Sequence, residues 1–365
     1  MTSELLAGMA SYAIHGAPPT GVTVRPKSPE EVAEVLAACS TDGIKVLVWG
    51  AGTHQGIGHR VAPDVVLSTE RLDRVVDHQV DDLTLTVQAG VTVGSIGATL
   101  RPYGQMAVLP EDGRAATVGG VLAVGASGYG RLRLGPTRDH LLEVTIATGD
   151  GRLVRAGAKV VKHVQGYDLM RLSTGSLGSL GVIVEACLKL WPTPPAAATV
   201  EVASPADAAR AFRPRAVLQT TERTVVMLAG TAEEVEAQAD ALGGGTERGL
   251  HWPDQPRPAE GEGLWAIRVP PTLVAEVVDR VPGEFVAQHG VGVVTAPLDG
   301  PTAAGMRDWL EPLGGAVVLI GGPESLYADP GPWGADPPAL ALQRRIVARF
   351  DPDRVVNPGR PAGGI

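Results

Sequence analysis

Val32, Val35, Leu36 and Cys39 recur at helical spacing through KSPEEVAEVLAACSTDG, and the ends of that run are as clearly marked as its apolar face. Ser28 can act as the N-cap, Pro29 suits the first helical position, Glu31 completes a capping box and Gly43 stops the helix. The apolar run IKVLVW that follows predicts a buried strand, and DVVLST predicts another. Alternation through DLTLTVQ predicts a half-buried strand from Leu83 to Gln88, with a short helix starting near Thr92. LLEVTIATGDGRLVRAG reads as a hairpin turning at Gly149-Asp150-Gly151. YDLMRLSTGSLGSLG reads as a short helix and turn, and VIVEACLKLW as a strongly apolar strand ending at Pro192.

From Pro192, PTPPAAATV breaks the composition and places a domain boundary. Beyond it the pattern changes to short strands alternating with amphipathic helices. Ser204-Pro205-Ala206-Asp207 and Thr231-Ala232-Glu233-Glu234 each open a capped helix. TVVMLAG, LWAIRVP, VGVVTAPL and AVVLIGG read as strands, and PTLVAEVVDRV and TAAGMRDWLEPLGG as helices. The pattern predicts one layer of helices on a mixed or antiparallel sheet. GGPESLYADPGPWGADPP is expected to be a poorly ordered loop, and ALALQRRIVARF a last helix leading into DPDRVVNPGR.

A chain of 365 residues has room for two domains, and 44% hydrophobic with 19% charged residues is the balance of a globular protein. A net charge of −9 argues against a nucleic-acid partner, which needs clustered Lys and Arg. The two cysteines, Cys39 and Cys187, stand far apart in apolar surroundings, so a zinc or iron–sulfur site on this chain is not expected. The N-terminal stretch lacks the basic and apolar regions of a signal peptide, and no apolar run is long enough to span a membrane. A cytoplasmic protein is therefore expected.

The glycines carry the chemistry. VWGAGTHQGIG sits at the carboxyl end of a predicted strand, where backbone amides gather around ligands in strand–helix units. Gly50, Gly52 and Gly56 miss the dinucleotide spacing, no helix follows them, and GxxxxGK[ST] is absent. Successive amides in such a loop can instead form a concave anion site. A second glycine-rich stretch, LPEDGRAATVGGVLAVGASGYG, is too long for a simple connection, and the two loops together could cradle a pyrophosphate. The alternative is that both are tight turns.

Gly50-Ala51-Gly52-Thr53, then LPEDGRAATVGGVLAVGASG, GPTRD and GYDLMRLSTGSLGSLGVIVEACLKL occur in that order. Together they resemble the FAD-binding domain of the vanillyl-alcohol-oxidase, or PCMH-type, flavoprotein family. FDPDRVVNPGR resembles that family's closing Asn-Pro-Gly segment. The run from Lys162 to Asp168 points, within the family, to the FAD-binding subunit of glycolate oxidase. The resemblance covers residues 20–192 and the C-terminal segment. It implies an α+β fold: a two-subdomain PCMH-type FAD-binding domain over 1–192, an α+β cap over 193–345 with helices on a mostly antiparallel sheet, and a segment 346–365 returning to the FAD domain.

It also implies roles. Gly50, Ala51, Gly52, Thr53, His54 and Gln55 would lie on the pyrophosphate. Pro110, Thr117, Gly119, Gly120 and Ser127 would line the flavin and its ribityl chain, and Gly178, Gly181 and Ile183 would run along adenosine and flavin. Arg138 and Asp139 would form an ion pair holding the loop. The family's covalent histidine would align with Thr53, one place before His54, and the second loop has no cysteine, so FAD is expected to be non-covalent.

A flavin oxidising a 2-hydroxy acid needs a cation for the carboxylate and a group for the hydroxyl proton. The candidates are Lys162, His163, Arg268 and His289, with Tyr129 and Arg360 as further possibilities; for each, a structural role competes. Three functions stay open. One is an FAD-dependent oxidoreductase acting on a small 2-hydroxy acid or alcohol. A second is a non-catalytic FAD-binding subunit partnered by a catalytic flavoprotein and an iron–sulfur subunit, through which it could sit at the periphery of a membrane. The third is a stand-alone oxidase of a specialised pathway, built on the same flavin domain.

Overall fold

The computed structural model describes residues 22–111, 113–159 and 167–365. By packing, the chain falls into two units. The first holds the described residues up to Ala126 together with Pro136–Pro192 and Asp336–Ile365; the second holds Ser127–Gly135 and Thr193–Ala335. Ser127–Gly135, inside the second glycine-rich stretch, thus packs with the second unit, and the last helix packs with the first. Among the described residues no helix is long and apolar enough to cross a membrane.

The first unit begins with β1 (Thr23–Val24), β2 (Val46–Trp49) and β3 (Val65–Ser68), a parallel sheet in the order β1-β3-β2. The helix Pro29–Asp42 connects β1 to β2. Its Ser28 Oγ accepts from the Glu31 amide at 3.2 Å, and Gly43 closes it at φ +68°. Glu31 reaches back to the Lys27 amide at 2.8 Å, one residue before the one a capping box would use. Val32, Val35, Leu36 and Cys39 are fully buried against Val24, Val46 and Leu67, each aliphatic side chain contributing about 1.5–3 kcal/mol. Burial pushes the Cys39 thiol up to about 11, and Cys187 is buried as well. Neither thiol is expected to react with a disulfide reagent at pH 8 until the protein unfolds; prompt labelling of the native protein would contradict this packing.

Next come β4 (Val75–Gln79), β5 (Thr84–Gln88), β6 (Gln105–Ala107), β7 (Leu141–Ala147), β8 (Leu153–Gly157) and β9 (Val182–Pro192). They form an antiparallel sheet in the order β4-β5-β9-β7-β8, with β6 pairing the far end of β9. The expected hairpin is β7–β8. β4 was not anticipated, because an edge strand with exposed Val75 and Val76 lacks alternation. One sheet face buries Leu85, Val87, Val144, Ile146, Ala186 and Leu188 beneath the helices Val93–Leu100 and Val118–Val124.

The second unit is built on one antiparallel sheet: β10 (Ala196–Val202), β11 (Ala216–Thr220), β12 (Thr224–Gly230), β13 (Thr246–Arg248), β14 (Gly263–Arg268), β15 (Val286–Gln288), β16 (Val293–Leu298) and β17 (Ala316–Gly321). Their order is β13-β10-β12-β11-β15-β16-β14-β17. The helices Ala232–Leu242, Val274–Val278 and Gly300–Leu310 cover one face, so the expected α+β layer is present. The Ala-rich stretch after Pro192 is not only a break: from Ala196 it is a strand, paired residue for residue with β12. The helix expected after Ser204 is a single 3-10 segment, Pro205–Arg210.

The Pro/Gly-rich stretch expected to be poorly ordered is bolted down. Arg307, buried on its helix, donates from Nε to the Val317 carbonyl at 3.0 Å and from its two terminal nitrogens to the carbonyls of Pro330 and Gly331 at 2.9 Å. Its guanidinium stacks 5.2 Å from the Trp265 ring centroid.

Candidate functional site

A cavity opens at the carboxyl end of β2, lined entirely by residues of the first unit. Its lining includes Gly50, Ala51, Gly52, Thr53, His54 and Gln55 from the first loop and Thr117, Gly119 and Gly120 from the second. A third loop adds Gly178, Gly181 and Ile183. Of the residues expected to hold a cofactor, only Pro110 and Ser127 do not line it; Ser127 packs with the second unit.

The two glycine loops do different work. Ala51, Gly52 and Thr53 line the cavity, and among the described residues their amides have no acceptor. Adjacent unpaired amides of this kind are a nest for an anion. In the second loop the amides are already taken. Val118 donates to the Val91 carbonyl, Gly119 to the Ala89 carbonyl, Val121 to the Thr117 carbonyl, and Gly120 to Thr117 Oγ1 at 3.2 Å. Thr117 is the N-cap of the helix Val118–Val124. The glycines there serve close approach: a Cβ on Gly119 would lie 2.8 Å from the Ala89 Cβ. The expected pair of amide cradles is therefore one amide nest facing a glycine-thinned helix start.

A Cβ on Gly50 would lie 2.4 Å from Thr117 Oγ1, across the cavity between the two loops. Gly50→Ala is expected to drive these loops apart and weaken binding of an anionic ligand by about tenfold or more, for a cost of about 1–3 kcal/mol. Ligand titration of the purified variant reads this directly, and unchanged affinity would show that the loops do not grip together.

The cavity also has a wall that sequence reasoning missed as individual contacts. Asn357 accepts from the Val48 amide at 2.9 Å and donates to the Leu177 carbonyl at 2.8 Å, tying β2 to the third loop. Arg360 donates from Nε to the Ile57 carbonyl at 3.0 Å and from a terminal nitrogen to the His54 carbonyl at 2.9 Å. Both line the cavity. The C-terminal segment thus returns to this unit and fastens two of its loops. Gln55 is tied inward as well, its amide donating to the Val48 carbonyl at 2.9 Å. His54 Nδ1 lies 3.1 Å from Thr53 Oγ1.

The reacting-group candidates fare differently. Lys162 and His163 lie outside the described residues. Arg268 and His289 both belong to the second unit but face opposite sides of its sheet. Arg268 pairs with Val293, which pairs with Gln288, on the side away from the helices; His289, just past β15, bonds to Gln219 Oε1 at 2.8 Å on the helix side. Burial lowers the His289 pKa from its ordinary value, which favours the neutral ring. Tyr129 is a packed side chain: it stacks 5.9 Å from Trp252, and its hydroxyl accepts from Gln255 at 3.0 Å. Asp139 lies nearer Arg171, at 3.1 Å, than Arg138, at 3.8 Å, so the expected pair is part of an exposed network. Trp49 is core, packed with Leu47 and Val66.

Residues 20–157 match the family model described as FAD binding domain. The chain is 35% identical over 184 residues to a D-2-hydroxyglutarate dehydrogenase of Xanthomonas citri pv. viticola, a match covering 49% of this chain and 39% of that protein. It is 40% identical over 122 residues to the glycolate oxidase subunit GlcE of Escherichia coli K12, covering 33% of this chain and 35% of the relative. The likeness thus spans little more than a third of each of these relatives. The fold is similar to that of alkyldihydroxyacetonephosphate synthase, with a TM-score of 0.64 at 15% identity over 92% of this chain and 76% of that one.

Proposed function

We propose that the chain, whose residues 20–157 match the FAD binding domain model, binds FAD through a domain of the PCMH type and is an FAD-dependent oxidoreductase oxidising a small 2-hydroxy acid. The observation that carries the reading is the cavity at the end of β2. Unpaired amides at Ala51, Gly52 and Thr53 offer a diphosphate its hydrogen bonds, and Gly178 and Gly181, which pack closely on Asn357 and on the Ala147 carbonyl, complete the wall. FAD, when bound, supplies the redox chemistry by accepting a hydride from C2 of the substrate. The chain's part is to hold the diphosphate at the first loop and to fix the loops through Asn357 and Arg360. The cofactor is non-covalent in this reading, since His54 lies one place past the position the family uses.

The test is spectroscopic. Purified protein should be yellow, and acid precipitation should release the colour into the supernatant. Anaerobic addition of 2-hydroxy acids should bleach the flavin. A protein that takes up no FAD would end the proposal.

A second reading, an FAD-binding subunit that works beside a catalytic partner, is favoured by the sheet register. The sheet separates Arg268 from His289 instead of placing an acid anchor and a base side by side. The subunit name of one relative points the same way. In that case the flavin bleaches only after partner subunits are added.

A further inference from the structure

The strand β2 sorts its side chains by alternation. Val46 and Val48 pack with the helix Pro29–Asp42, whereas Leu47 and Trp49 join Val61 and Val66 in a small cluster of their own. Trp49 is 8% exposed, and its indole nitrogen is buried without a hydrogen-bond partner among the described residues. Native proteins pair nearly all buried N–H groups, and an indole that does not do so gives up stability that a phenyl ring would keep. Something other than stability holds a tryptophan at this position.

The indole lies against the first glycine loop. A Cβ on Gly52 would lie 2.9 Å from Trp49 Cζ2, 3.2 Å from Cε2 and 3.3 Å from Nε1. The nearest of these atoms, Cζ2, belongs to the second ring of the indole, which phenylalanine does not have. Gly52 stands at φ +78°, and its carbonyl accepts from the Gln55 amide at 3.3 Å. In that conformation the amides of Ala51, Gly52 and Thr53, which line the cavity, keep no acceptor among the described residues. Trp49 itself is not part of the cavity wall. Two independent features therefore meet at one glycine: an amide nest open to the cavity, and a buried indole edge packed where a side chain would otherwise be.

We propose that Trp49 is a positioning residue for the anion, its second ring bracing Gly52 in the left-handed conformation that keeps the three amides free for the ligand. The proposal rests on the reading of the cavity as a diphosphate site. The brace acts through the loop and touches no ligand. It explains the glycine, because a methyl group at Gly52 would be driven into the ring. It also explains the unpaired nitrogen, because the indole is kept for its breadth and not for its N–H. A nest held in its binding geometry before the ligand arrives has less ordering to do on binding, and affinity gains accordingly.

The test uses protein freed of flavin and two probes, FAD and ADP; ADP carries the diphosphate without the flavin. Calorimetry reads affinity, and thermal unfolding of the same samples reads stability. Trp49→Phe removes the second ring and the buried N–H together, so lost packing and a lost unpaired donor oppose each other. Its melting temperature should stay within about 3 °C of wild type, while its affinity for both probes should fall about tenfold. Gly52→Ala supplies the second arm. In wild type the new methyl meets the ring, and ADP affinity should fall at least about 30-fold; in the Trp49→Phe background the same change should cost about threefold, because the space behind the glycine is open. A tryptophan that merely filled the core would lower melting temperature and affinity in step. Unchanged affinity in Trp49→Phe, additive effects of the two substitutions on ADP binding, or a Trp49→Phe protein that melts well below wild type or does not fold, overturns the brace. The brace and the flavin reading fail separately. If ADP binding follows both substitutions as expected but wild type takes up no FAD, the flavin reading fails and the brace stands. If wild type takes up FAD and 2-hydroxy acids bleach it, while Trp49→Phe binds both probes like wild type, the brace alone fails.

Discussion

Asn357→Ala is expected to strip the protein of most of its FAD. Asn357 is 2% exposed, and its side chain satisfies one buried donor, the Val48 amide, and one buried acceptor, the Leu177 carbonyl. Alanine leaves both unpaired, at about 1–3 kcal/mol each. It also places a Cβ-bearing residue without a helpful side chain at φ +47°, a conformation that asparagine tolerates better than most residues. Val48 and Leu177 both line the cavity, so the loss falls on the walls that grip the cofactor. FAD affinity is expected to fall on the order of 100-fold, the equivalent of roughly 3 kcal/mol, with little flavin left after gel filtration. Asn357→Asp keeps the acceptor and loses the donor, so an intermediate loss is expected. Full flavin retention by the alanine variant would show that the C-terminal segment decorates the site without supporting it.

That prediction also marks where the sequence stops being readable. The helix Pro29–Asp42 was legible because its cap, its apolar face and its glycine stop all lie within one short stretch. The cavity glycines were legible because close approach to a backbone leaves a glycine behind wherever it occurs. The Asn-Pro-Gly segment could be assigned to the cofactor domain by resemblance, but the acceptors and donors of Asn357 lie across most of the chain, and no local pattern names them. The missed strands fail for a related reason. β10 opens on alanines and β4 lies at an edge, so neither has the alternation that a half-buried strand shows. The second glycine loop was misread in detail because Thr117 is a helix cap, and a cap consumes the amides that a loop would have offered to a ligand. Arg268 and His289 were grouped as candidates by residue type; which face each takes depends on strand register, which is set by pairing.

Arg307→Ala is expected to cost the second unit more stability than any surface change. The residue looks like an ordinary arginine in the middle of an amphipathic helix, yet it is 6% exposed and its guanidinium answers three backbone carbonyls. Burial holds its pKa below the usual range, with Glu311 opposing that shift. The three bonds are the physical reason that a Pro/Gly-rich stretch, which by composition should wander, is held against β17 and the helix Gly300–Leu310. Glu311 fixes the end of the same stretch by accepting from the Ala335 amide at 3.0 Å. Removing the guanidinium frees three carbonyls and the packing over Trp265, a loss of about 3 kcal/mol. For a unit of this size that lowers the melting temperature by about 6–12 °C. Arg307→Lys keeps the charge but offers a single nitrogen where the fork supplied three, so most of the loss should remain. If the alanine variant melts with wild type, the carbonyls find other partners and the stretch is held by its prolines alone. A melting loss with FAD binding intact would leave the cofactor cavity independent of this arginine, as expected of a residue that packs wholly within the second unit.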